Sequence, residues 1–231
     1  MAGSVWALPE VTRLNAELWF GGQIMTISWL RGTLGELVPL IEQAVTDYPG
    51  FRVFVAVLAH AHAEGDRPDV AASLLEAFAA TDFDLPLDGL WLTGMMSYAE
   101  AAIRCRAAEQ AQPLLDRLGP WADRFSYFDG TAAGPVSHAV GALAALLGRY
   151  DEAQRYFAQS SQFSDQVGSK FFGARTHLSW GTMLVDRGAP EDAGLAGELL
   201  RKAQTVAAAH GYRNVELRAG AALANLESIQ A

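Results

Sequence analysis

The side chains that could do chemistry are few, and none has the spacing its chemistry needs. His60 and His62 are the two histidines nearest each other in the sequence. On a helix, residues two apart point about 200° away from each other and cannot close on one ion. They read instead as one histidine near the core and one exposed. Cys105 is the single cysteine, and it falls at an expected helix end with no histidine near it in sequence to hold a thiolate. It reads as a buried turn residue. The stretch FSYFDGTAAGP over 125–135 contains glycines but lacks the lysine and spacing of a phosphate-binding loop. Asp82, Asp84 and Asp88 lie close together, yet the glycine and terminal glutamate of a calcium loop are absent. A solvated linker over 81–88 is the expectation there. No catalytic residue, metal ligand or cofactor site is predicted, and the chain is expected not to be an enzyme.

Composition narrows the class. The chain has 231 residues, 51% hydrophobic and 19% charged, enough to bury a core and too apolar for a disordered tail. Its longest mostly apolar runs, 19–30 and 53–63, fall short of the roughly 18 to 20 residues of a membrane span. One cysteine forbids an internal disulfide and fits a reducing, cytoplasmic setting. Seventeen basic against 26 acidic side chains leave a net charge of −9, a poor match for phosphate backbones. Neither direct nucleic-acid contact nor a membrane is expected.

The elements that would position any site are helical. Residues 136–165 read as a hairpin: Val140, Leu143, Ala144 and Leu147 share one face, then Tyr150, Ala153, Phe157 and Ser160 share another. Gly148 stands between them, where a helix end favours positive φ. Further helices are expected over 19–31 and 34–48, the second with Pro39 as a kink. Others follow over 51–64, 70–80, 90–104, 107–118, 195–209 and 215–229. The RVFVAVL run beginning at Arg52 suits a strand by local propensity, but it continues unbroken to Gly65 and is read as helix. The turns at Gly32, Gly65, Cys105, Gly148 and Gly188 recur after 33, 40, 43 and 40 residues.

The run G-R-Y-D-E-A-x-x-Y-F from Gly148 resembles the turn and second helix of a tetratricopeptide repeat. Gly148, Ala153, Phe157 and Ser160 match that family's turn, small, aromatic and small positions, and Gly141 its small residue in the first helix. The resemblance implies an all-α fold: a right-handed α-solenoid of about five degenerate hairpins over 18–231, after a lead-in or short helix over 1–17. The 40-residue spacing and the stretch from Arg187 to the His210-Gly211-Tyr212 run are similar to the carboxy-terminal repeat region of actinobacterial multidomain regulators. Those combine it with an NTPase domain and a cyclase or LuxR-type domain, which implies signalling or transcriptional control.

In such a solenoid the first helices line a concave groove. The family's groove positions fall on Trp19, Thr26, Trp29, Arg52, His62, Met95, His138, Arg175, Thr182 and Asp186, with Tyr127 and Phe128 of the aromatic loop able to extend the groove. Tryptophan and arginine there would anchor a peptide; packing of Trp19 and Trp29 between helices is the structural alternative. The expected partner is a protein or peptide segment, the upstream domains of a larger regulator, or a second copy in a homodimer. The alternatives are a small-ligand-sensing domain and, less favoured, an enzyme on a helical scaffold. If Arg52 and Arg175 line the groove, replacing either by alanine should leave stability nearly unchanged.

Overall fold

The computed structural model describes residues 10–128 and 130–230, with side chains described over 19–128 and 130–229. Among the described residues the chain is all-helical apart from one two-stranded hairpin. The helices are α1 (Glu10–Arg31), α2 (Val38–Asp47), α3 (Val53–Glu64), α4 (Pro68–Ala79), α5 (Trp91–Cys105) and α6 (Ala108–Leu118). After the hairpin, β1 (Phe125–Phe128) and β2 (Thr131–Pro135), come α7 (Val136–Leu146), α8 (Tyr150–Gln166), α9 (Lys170–Arg187), α10 (Asp192–His210) and α11 (Arg213–Gln230).

Burial separates these helices into two rows. Helices α3, α5, α7 and α9 are covered nearly all round, with consecutive buried runs such as Thr93 to Ala102 in α5. Helices α4, α6 and α8 bury one stripe each: Ala71, Leu75 and Phe78, for example, in α4. A helix apolar all round belongs inside, and one with a stripe belongs on the flank. Each inner helix packs on its flanking partners and on the next inner helix, as α3 does on α4 and α5. The row also bends back on itself. Helix α11 touches α1, and Asn214 Nδ2 of α11 donates to Glu64 Oε2 of α3 at 3.0 Å.

Local chemistry explains the boundaries. Val53 to Leu58 is helical, because a covered helix tolerates β-branched residues once tertiary contacts outweigh propensity. Gly148 has φ +71° and reverses the chain between α7 and α8. Gly65 ends α3 for a different reason. Its φ is −90°, and Asp66 takes the left-handed turn instead. What position 65 needs is room: a Cβ built on Gly65 would lie 3.0 Å from the Gly35 Cα and 3.1 Å from the Ala61 carbonyl oxygen.

Several expectations are corrected. The expected 34–48 helix is a 3-10 turn (Leu34–Leu37) followed by α2, so Pro39 lies in a first turn, where its missing N–H costs nothing, and makes no kink. Helix α1 begins at Glu10 and so takes in the second half of the expected lead-in; residues 1–9 lie outside the described residues. The aromatic loop is an antiparallel hairpin, Phe125 opposite Pro135 and Phe128 opposite Thr131, with a bulge at Ser126 and Tyr127. His60 and His62 are both buried, because α3 is covered on opposite sides and even side chains 200° apart meet protein.

Candidate functional site

Two regions concentrate the chemistry, and they differ in kind. The first is the centre, where inner helices meet. Four-residue spacing puts His60 and Glu64 on one face of α3, and Glu100 and Arg104 on one face of α5. Arg175 of α9 reaches Glu100 at 2.5 Å, and its guanidinium lies 4.2 Å from the ring centroid of Trp29 in α1. The ring of His60 meets the same indole edge-on, with centroids 4.8 Å apart. Beside this, Glu64 gathers Arg104 at 3.6 Å, Arg218 at 3.9 Å and Asn214. Two buried carboxylates thereby tie early helices to late ones.

A hydroxyl relay completes the centre. Thr176 donates to the Phe172 carbonyl at 2.8 Å, so its oxygen accepts from Ser160 at 2.9 Å and from the Nδ1–H of His138 at 3.2 Å. Burial pushes His138 down to about 3, and the cationic Arg175 nearby pushes the same way, so the imidazole is neutral. Burial lowers His60 as well. For Glu100, burial is the largest single effect and opposes ionisation, but the surrounding partners, Arg175 chief among them, together hold the carboxyl well below the usual carboxylate range. Glu100 and His60 are each 2% exposed, and Arg175 is 8% exposed. These groups face one another and are covered; what the arrangement does is hold helices in register.

The predicted groove residues part company here. Trp29, His138 and Arg175 meet in this centre, while His62 and Met95 are buried elsewhere in the interior. They are packed between helices and line no open surface. Arg175 in particular is a core residue, because its charge is matched by Glu100 and its plane by Trp29. Arg52 is exposed and pairs with Asp84 at 3.3 Å, and Asp186 is exposed and pairs with Arg106 at 3.3 Å. Thr182 is half-buried, and Trp19 and Tyr127 are exposed. The linker aspartates diverge: Asp82 takes Arg117, Asp84 takes Arg52, and Asp88 caps the Leu90 N–H. Cys105 is half-buried, with Sγ 3.7 Å from the Pro68 carbonyl, and burial pushes its thiol up, away from reactivity.

The second region is a cleft of about 400 Å³ between α1, α2, α3, the start of α5 and the hairpin residues Phe128 and Thr131. Its walls are Met25, Leu37, Ile41, Val53 and Val57, with Phe20, Leu40 and Phe128 at the mouth. Phe20 is 65% exposed and Leu40 is 56% exposed. Polar groups are sparse: Gln43, Asp47, Tyr48, Thr93 and Thr131. The hairpin is braced over the cleft from α1, where Thr26 donates to the Gly22 carbonyl at 3.0 Å and accepts from the Ala132 N–H at 3.3 Å. Of the predicted residues, Phe128 lines the cleft and Thr26 supports its roof.

Sequence reasoning missed the rest of this site because Leu37, Leu40, Ile41 and Ala44 share one face of the expected 34–48 helix and read as ordinary core. The available signal was Pro39. A proline in the first turn marks where the α-helix starts, and the ten residues of that helix leave Phe20 and Leu40 exposed at the mouth. No family model matches the sequence, and neither a curated protein nor a solved structure matches the chain.

Proposed function

We propose that the chain is a non-enzymatic interaction module, a solenoid of about five tetratricopeptide-like hairpins, that receives a protein segment in the apolar cleft between α1, α2, α3 and the hairpin. The reading adds a role in signalling or transcriptional control, with binding at the cleft biasing whatever the helical row is coupled to. The observation that carries it is the mouth of the cleft. Large apolar side chains, Phe20 and Leu40 above all, stand in water around an apolar interior. Covering such a side chain contributes roughly 1.5–3 kcal/mol, and exposed apolar patches rimmed by polar residues mark interaction sites.

A second reading has its own observation: a volume of about 400 Å³ is within the range of small-molecule pockets. The two separate by photo-crosslinking. A benzophenone amino acid at position 40 should yield adducts of polypeptide mass in cells, and one at the exposed Val167, in the bend after α8, should not. Adducts of only a few hundred daltons would move the assignment to the small-ligand sensor. Identical adducts from both positions would remove the cleft from consideration.

A further inference from the structure

We infer that the segment received by the cleft is an amphipathic α-helix carrying lysine or arginine beside its apolar face. The inference rests on the reading that a protein segment is what the cleft takes. It follows from what the lining offers to a backbone and to a charge.

The walls are mostly α-helices, whose N–H and C=O groups, apart from those of the end turns, are already paired along their own axes. An extended peptide entering here would leave its backbone groups without partners, which costs about as much as a lost hydrogen bond for each. The hairpin gives little relief, because the Ala132 N–H of β2 already goes to Thr26 Oγ1. A helix arrives with its backbone satisfied and presents side chains alone. Helix-in-groove recognition of this kind is read through anchors at i, i+3 or i+4, and i+7. A cleft of about 400 Å³ takes a few such side chains.

Charge sets the flank. Among the described residues no lysine, arginine or histidine lines the cleft, and the one carboxylate that does is Asp47, in the last turn of α2. Gln43 Nε2 donates to Asp47 Oδ1 at 2.7 Å, and no cationic side chain of the described residues pairs with it. An incoming cation would meet this carboxylate and a chain of net charge −9, and an incoming carboxylate would meet repulsion from both. Apolar anchors with an acidic flank are therefore disfavoured, and so are fatty-acid-like ligands.

The test is fluorescence anisotropy with the full chain and labelled synthetic helices of about 18 residues, five turns. They share one leucine face and differ in having lysine, glutamine or glutamate beside it, and dodecylamine and decanoate serve as small-molecule competitors. The lysine helix should bind best, the glutamate helix at least about tenfold more weakly. Ala44→Phe, which fills the cleft, should weaken the lysine helix about tenfold or more, and Asp47→Asn about threefold. Should Ala44→Phe fail to fold by circular dichroism, Leu40→Glu at the exposed mouth replaces it. Equal binding of all three helices, abolished by the cleft variant, would overturn the basic flank and leave the protein-segment reading standing. Binding of none of the three helices, with dodecylamine alone raising the melting temperature of the chain, would overturn that reading itself. Lysine-helix binding untouched by either cleft variant would reduce the effect to surface charge and overturn both.

Discussion

The centre and the cleft invert the usual expectation about where binding residues sit. Tryptophan, arginine, histidine and glutamate, the types that most often mark a site, meet at the centre and are covered there. The cleft is built from leucine, valine, isoleucine and phenylalanine, the types that usually mark a core, and stands open. The difference lies in partners. At the centre Arg175 has both a carboxylate and an indole face, so its desolvation is compensated. At the cleft, neither α2 nor the hairpin covers Phe20 of α1, and no other element covers Leu40 of α2 among the described residues. A residue's role follows from whether the fold supplies what it needs.

Arg175→Ala breaks this comparison hardest. It leaves Glu100 buried without its cation, a loss of about 3–5 kcal/mol in chemical denaturation, whereas Arg52→Ala at an exposed pair should cost no more than about 1 kcal/mol. Equal effects would return Arg175 to an open surface.

Acidification should act on the centre next. His138 has its folded value depressed to about 3 from an ordinary 6.5, so the unfolded chain binds the extra proton first. Stability is then lost as pH falls from about 6.5 toward 3, by about 1.4 kcal/mol per pH unit for one such histidine. His60 adds to the slope. Glu100, depressed below the carboxylate range, contributes stability that is present above its unfolded value and lost below it. Denaturation at pH 7 and pH 5 should show the drop, and His138→Gln should make it shallower.

Gly35→Ala sharpens the comparison at the seam between the 3-10 turn and α3. The added methyl meets the Gly65 backbone at 2.5 Å, and backbone cannot swing aside as a side chain can. About 1–3 kcal/mol should be lost, read from the urea midpoint. The smallest effect belongs to the cleft. Leu40→Ser should change stability by under about 0.5 kcal/mol while lowering Nile red fluorescence on the protein. A large destabilisation would make Leu40 core after all.

Most of the helices and turns were legible, because periodicity and glycine placement act through neighbours within four residues. Gly148, Gly188 and the 136–165 hairpin depend on nothing farther away. The β-hairpin was hidden because Phe125 to Pro135 is short and glycine-containing, and its strands are held by bracing from Thr26, a hundred residues earlier in the chain. Of the candidate site, only Phe128 and Thr26 were named beforehand. The cleft depends on how far apart α1, α2, α3 and the hairpin come to rest, and beyond Pro39 no residue type reports that.

By itself the sequence determined an all-helical chain, the hairpin units and the places where they reverse, since these rest on hydrogen bonds and packing a few residues apart. Only the tertiary structure decided which polar residues would be interior and which apolar ones would remain outside. The reason is that burial of a charge depends on a partner delivered from a distant helix, Arg175 to Glu100 and Asn214 to Glu64, and no local pattern records that meeting.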